Sequence, residues 1–135
     1  RRDRARGVCV VRGAGGDSAE GRVRGGVSKA DQRVIARGGA DRHKGTHGTV
    51  NSGMPGPTWV EMGPVRRAAR AKAAGTTVDD LTSRMFTERR PASLLQRYAT
   101  PEEVANLICY VCSKASSATN GAALRVDGGI VTNPF

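Results

Sequence analysis

Cys109 and Cys112 form a C-x-x-C pair, the spacing used by dithiol redox sites and by half of a zinc site. A zinc site needs a second pair or nearby histidines, and none accompanies this one. The pair also falls inside an apolar run at helical spacing, where cysteine behaves as a small core residue. Buried thiols are therefore the expectation, with no metal site. Basic residues offer a second chemistry. Arg24-Gly25-Gly26 and Arg37-Gly38-Gly39 are R-G-G triplets, and Arg1 to Arg6 is a basic cluster, features that meet phosphates. R-G-G segments that bind RNA come in dense arrays with aromatics for stacking; no aromatic separates these two. A solvated charged surface is the plainer reading, and no specific nucleic acid is expected as a partner. Gly13-Ala14-Gly15-Gly16 imitates a phosphate-cradling loop, but no G-x-G-x-x-G occurs in these residues and no helix signal follows. Lys29, taken alone, is a solvated surface charge.

The chain that must position these groups has 135 residues, enough for one core. Apolar residues make up 38% and aromatics 4%, so that core is expected to be thin. The net charge of +10 is uneven: residues 1–48 hold twelve Arg or Lys against five acids, and residues 49–135 hold ten against seven. Every Trp, Tyr, Phe, Pro and Met lies in the second stretch. No apolar run is long enough to span a membrane. Cysteines without a signal peptide point to a reducing, cytoplasmic setting.

Gly7-Val8-Cys9-Val10-Val11 reads as a buried strand. Residues 14–27 carry no period and read as loop. Ser28 to Asp41 reads as a helix with Ala30, Val34 and Ile35 on one side, weakened at its end by Gly38-Gly39. A strand is expected around Thr49-Val50-Asn51, then an irregular loop at Pro55-Gly56-Pro57. Thr77 caps a helix with Asp79 and Asp80 in its first turn and Val78, Leu81, Met85 and Phe86 at helical spacing, stopped by Pro91. Thr100-Pro101-Glu102-Glu103 is a capping box with proline at the first helical position. Val104, Leu107, Ile108 and Val111 follow as one apolar face. Asn120-Gly121 turns the chain into a buried strand, Ala122 to Val126, ended by Asp127-Gly128-Gly129. Strands separated by helices imply a parallel sheet with right-handed crossovers, an α/β chain.

Three of these stretches, in this order, resemble the short-chain dehydrogenase/reductase family. Val50-Asn51-Ser52-Gly53-Met54-Pro55-Gly56-Pro57-Thr58 is similar to the family's segment after its sixth strand. Arg97-Tyr98-Ala99-Thr100-Pro101-Glu102-Glu103-Val104-Ala105 is similar to its last long helix start. Asn120-Gly121-Ala122-Ala123-Leu124-Arg125-Val126-Asp127-Gly128-Gly129 is similar to its last strand with the V-D-G-G signature. The likeness is good over residues 47–135, extends less closely over 26–46, and is poor before that. It implies the C-terminal half of a Rossmann-like doubly wound parallel sheet, about three strands with flanking helices, over 26–135. Residues 1–25 are read as a degenerate basic segment with one possible strand.

The resemblance also implies chemistry. The family moves hydride between NAD or NADP and a carbonyl or alcohol, using a tyrosine as proton donor and a lysine four residues later. Gly26-Val27-Ser28-Lys29-Ala30 resembles the end of that Y-x-x-x-K motif, which places Lys29 at the catalytic lysine, where it would hold the nicotinamide ribose. The tyrosine position is then Gly25, and the serine position falls at about Arg12. Pro55, Gly56, Pro57 and Thr58 match the loop whose backbone groups meet the nicotinamide carboxamide. The hydroxyl usual four residues after that glycine is replaced by Val60. A family oxidoreductase in a truncated or decayed copy, inactive alone, is the first expectation, with cofactor binding by this chain in doubt. A non-catalytic subunit of a homo-oligomer, joined through helices near 28–43 and 101–113, is the second. A basic nucleic-acid-binding protein is the third. The segment 61–95 corresponds to the family's substrate-facing loop and helices, and names no ligand.

Overall fold

The computed structural model describes residues 6–10, 19–60 and 62–133, with side chains from Asp31 onward apart from Met62. Among the described residues three strands form one parallel sheet, β1 (Arg6–Val10), β2 (Thr49–Pro55) and β3 (Ala123–Val126), in that spatial order. Between them come α1 (Ala19–Arg42), α2 (Met62–Ala73), α3 (Val78–Arg84), which continues as a π-helical turn (Met85–Arg89), and α4 (Pro101–Cys112). The expected α/β order and contiguous parallel sheet are both present. Arg12 and the glycine-rich run Gly13 to Gly16 lie outside the described residues.

Helix α1 corrects the reading in two ways. It begins at Ala19, so 19–27 is helical rather than loop, despite the three glycines in that stretch. Its buried side is also different: Ala36 and Ala40 are buried, while Val34 and Ile35 are 70% and 71% exposed. Small residues win that face because the helix lies close on the sheet. A Cβ on Gly39 would already touch Val50 Cγ1 at 3.5 Å. On the other side of β2, a Cβ on Gly53 would meet Ile108 of α4 at 3.1 Å. Residues three apart on a strand point to opposite faces, so α1 and α4 cover the two sides of the sheet.

The polar core of this small sheet is Asn51, 1% exposed. Its Nδ2 donates to Thr119 O at 3.0 Å and its Oδ1 accepts from Ala122 N at 3.0 Å. Asn120 Oδ1 accepts from Val50 N at 2.9 Å. These bonds fix the chain reversal before β3, where Gly121 takes φ 68°, a conformation open to glycine. Strand β3 is not buried as expected: Ala123 and Arg125 are exposed and Leu124 and Val126 half-buried. It ends the described sheet, with β2 on one side and no further strand on the other.

The helix starts form as the sequence dictates. Thr77 Oγ1 accepts from Asp80 N at 3.1 Å. At α4, Thr100 Oγ1 accepts from Glu103 N at 3.2 Å while Glu103 Oε2 accepts from Thr100 N at 2.8 Å, the reciprocal capping box. Val111 on the predicted apolar face is buried. Cys109 and Cys112 are both exposed, against expectation, because they fall beside the 104–107–108–111 stripe rather than on it. Among the described residues no cluster of three or more His, Cys, Asp or Glu could hold a metal, and no helix is long and apolar enough to cross a membrane.

Candidate functional site

Parallel sheets of this kind gather their sites at the carboxyl ends of the strands. Here that edge is built from Pro55 to Thr58 after β2 and Asp127 to Gly129 after β3. Gly56 N donates to Val126 O at 3.2 Å, and a Cβ on Gly56 would stand 2.7 Å from Asp127 Cα. Only glycine allows the two strand ends this approach. Gly128 and Gly129 turn away with φ 68° and 71°, and Gly129 N donates to Asp127 Oδ1 at 3.1 Å.

A second layer crosses these ends. Leu95 N donates to Gly128 O at 3.0 Å, and Ser93, 3% exposed, packs beneath it. Thr58 then bridges Ala99 in parallel: Ala99 N donates to Pro57 O at 2.9 Å, and Trp59 N to Ala99 O at 2.8 Å. Thr58 Oγ1 donates to Gly56 O at 3.0 Å. The segment is thus held by Gly56 N, Gly56 O, Pro57 O and Trp59 N. Among the described residues the Thr58 amide and carbonyl take no part in these bonds; they are one donor and one acceptor on a single residue, the complement of a carboxamide. The residues Pro55, Gly56, Pro57 and Thr58 do come together as one wall.

The position of Lys29 follows from the course of α1. The helix runs opposite to β2, with Gly39 over Val50 and Arg33 Nη1 donating to Met54 Sδ at 3.7 Å. One more turn toward the helix start, about 6 Å, carries α1 from Arg33 to Lys29. The Lys29 turn therefore lies toward the carboxyl end of β2, and Gly25 lies one turn beyond it.

On the far side of the wall lies a cluster that the sequence reading missed. Trp59 and Tyr98 meet edge to face at 5.6 Å, and Phe86 and Tyr98 at 5.0 Å. Phe86 is 2% exposed. The Arg67 guanidinium sits 4.0 Å from the Trp59 ring centre and 4.1 Å from that of Tyr98. Its Nη1 is buried without a hydrogen-bond partner among the described residues. The only prior signal was an Ala/Arg-rich stretch at helical spacing, now α2. Nearby, Arg97 donates to both Glu103 oxygens at 2.9 and 2.7 Å. That guanidinium first, and the Thr100 amide second, pull the Glu103 carboxyl down to about 2. Glu103 raises the Arg97 guanidinium in turn. Asp80 is also lowered, by the Thr76 hydroxyl first and by Thr77 next.

Comparison with known proteins gives the same frame. A family model described as enoyl-(acyl carrier protein) reductase matches residues 20–131. An uncharacterized oxidoreductase YvrD of Bacillus subtilis is 50% identical over 97 residues, 72% of this chain and 37% of that protein. A short chain dehydrogenase family protein from Francisella tularensis superposes with a TM-score of 0.76 at 19% identity, over 96% of this chain and 52% of that one. L-sorbose reductase from Gluconobacter frateurii, solved with NADPH and L-sorbose, superposes with a TM-score of 0.77 at 20% identity, over 96% of this chain and 49% of that one. The two structural likenesses bear on the fold. The chain spans well under two thirds of the length of each of these proteins.

Proposed function

The chain belongs to the short-chain dehydrogenase/reductase family, and on that premise we propose that it forms the nicotinamide-facing wall and substrate-facing helices of an NAD(P)-dependent oxidoreductase. The reaction would be hydride transfer between a nicotinamide and a carbonyl or alcohol. One observation supports this above the rest: α1 runs opposite to β2, so its Lys29 turn lies toward the strand end that carries Pro55-Gly56-Pro57-Thr58. Thr58 would hold the carboxamide through its amide and carbonyl, and Lys29 the ribose. The bound nicotinamide, NAD or NADP, supplies the hydride donor or acceptor.

Reduction of a carbonyl also needs a proton at its oxygen. Gly25 stands at the tyrosine position and has no group to give one, and Arg12 at the serine position has no hydroxyl. These 135 residues by themselves are therefore proposed to bind without turnover. The test is a titration of the purified chain with NADPH and NADH, following energy transfer from Trp59, alongside a turnover assay with carbonyl compounds. Saturable transfer, displaced by the oxidised cofactor, is expected, with no consumption above a mock-purified control. Gly25→Tyr alone restores none, since Arg12 at the serine position still offers no hydroxyl. Robust turnover by either protein overturns the proposal, and a folded chain without transfer removes its cofactor half.

One observation favours a second reading, a subunit of a homo-oligomer. Val34 and Ile35 on α1 and Tyr110, 47% exposed, on α4 are large apolar residues left in solvent, on helices 19–42 and 101–112. Val34 and Ile35 form one exposed apolar pair and Tyr110 lies on the other side of the sheet; exposed apolar surface on outer helices is where chains can meet. Sedimentation of the double variant Val34→Asp/Ile35→Asp as a monomer, against an oligomeric parent, would support it; identical behaviour would not.

A further inference from the structure

Beyond the wall, the chain enters a cleft of about 800 Å³ between α2 and the α3–π segment. We propose that this cleft binds the anionic end of an organic substrate, a phosphate or carboxylate carried on an apolar body. Its identification as the substrate end of the site rests on the function proposed above; binding of the anion itself does not.

Charge comes first. Among the described residues, Arg66, Arg67, Arg70, Arg84 and Arg89 line the cleft with Glu88 as the one acid, a formal excess of four positive charges among them. Such a concavity focuses potential on an anion. The arginines differ in what they offer. Arg70 and Arg89 are engaged within the protein and contribute field. Arg84 is felt by Asp80 one turn away, which offsets part of its charge. Arg66 is exposed at the rim. Arg67 is held flat against Trp59 and Tyr98, with its buried Nη1 lacking a partner among the described residues. Gly63 packs directly against that nitrogen, where a Cβ would collide with it. A guanidinium held flat by two rings keeps its charge fixed at the cleft wall for a carboxylate or phosphate.

The rest of the lining sets the body of the ligand. Val60, Leu81, Met85 and Tyr98 supply apolar surface between the arginines, and the volume is that of a small-molecule site. A nucleic-acid strand is disfavoured, because Trp59 and Phe86 both pack on Tyr98, with Arg67 over Trp59 and Tyr98, rather than standing apart for bases. Val60 lies two residues after Thr58, so a ligand anchored in the cleft would reach back to the wall with its other end.

Trp59, 4.0 Å from Arg67, reports occupancy. The full chain would be titrated at low salt with hexyl phosphate, hexanoate and hexan-1-ol, reading Trp59 emission. Saturable binding of an anion is expected, about tenfold or more tighter than the alcohol, since a charge-assisted pair is worth about that factor. The tighter of the two anions names the source. Arg66→Gln should weaken it about tenfold, while Lys114→Gln, away from the cleft, should leave it unchanged. Equal binding of the alcohol, or unchanged anion binding in both Arg66→Gln and Arg84→Gln, overturns the proposal. So does displacement of hexyl phosphate by NADPH, which would make the cleft a cofactor phosphate site. Anion binding without NADPH transfer from Trp59 sinks the oxidoreductase reading and leaves the cleft standing; transfer without anion binding does the reverse.

Discussion

A methyl group added at two glycines should move stability in opposite directions. At Gly56 the new Cβ would lie 2.7 Å from Asp127 Cα and 2.8 Å from Asp127 C, where ordinary contact begins at 3.4 Å. The Asp127 carbonyl oxygen would be nearer still and all three neighbours are backbone, so the ends of β2 and β3 must part by about 1 Å. The Gly56 N to Val126 O bond, already 3.2 Å long, lies at the limit of good geometry and would not survive. Overpacking costs about 1–3 kcal/mol and the lost bond about 1 kcal/mol more, so Gly56→Ala should destabilise by about 2–4 kcal/mol. At Gly38, within α1, an added Cβ meets nothing within 4 Å. Alanine there should gain up to about 1 kcal/mol from helix propensity. Urea unfolding of the chain, followed by Trp59 emission and far-UV circular dichroism, measures both, and the m-values should stay constant. Gly56→Ala should also weaken NADPH transfer, because the Thr58 amide and carbonyl move with the loop. A Gly56→Ala chain as stable as its parent would refute the close approach of the strand ends, and with it the geometry of the wall.

Two other predictions test the surroundings of the site. Glu103 has its carboxyl lowered from 4.5 to about 2, so its contribution is complete above the unfolded value and is lost as pH falls through the folded one. The parent should therefore lose stability relative to Glu103→Gln between pH about 4.5 and about 2; a gap between the two that stays constant across that window would show that the Arg97 pairing does not hold in solution. Arg67→Lys keeps the charge but loses the planar contact with Trp59 and Tyr98, and should cost about 1 kcal/mol while shifting Trp59 emission. An unchanged emission spectrum would mean that the guanidinium does not rest on that ring.

What was legible in the sequence was local. Thr77 and Thr100 cap their helices because the capping signal is complete within four residues. Val111 is buried because the 3.6-residue stripe fixes its side. The strand ends after Pro55 and Val126 were legible because proline and paired glycines limit the backbone there. The failures all turn on how closely elements approach. Val34 and Ile35 read as the inner face of α1 by hydrophobicity, yet Ala36, Gly39 and Ala40 are inside because α1 lies on Val50 with no room for a larger residue. Cys109 and Cys112 read as core because the whole run is apolar, while the stripe excludes them by one position. The Trp59–Tyr98–Phe86 cluster with Arg67 joins residues from four separate segments, and no local period announces such a meeting. Asn51 is similar: its role depends on Thr119 and Ala122, some seventy residues away.

The site divides into a part made of backbone and a part made of side chains, and they fail differently. The wall depends on Gly56 and Thr58, on the bridge to Ala99 and on the V-D-G-G turn, all of them consequences of how β2 and β3 end. Any sequence that folds this sheet keeps the Thr58 donor and acceptor, because they belong to the main chain. In the proposed reaction, proton transfer would depend on one side chain one turn from Lys29, and glycine at position 25 would remove it without any demand on the sheet. On that proposal, loss of chemistry and retention of a binding wall would be physically independent. Measured turnover alone cannot distinguish an unfolded chain from a folded one lacking its donor. Trp59 can, because it lies between the wall at Thr58 and the arginines at Arg67 and responds to a ligand on either side.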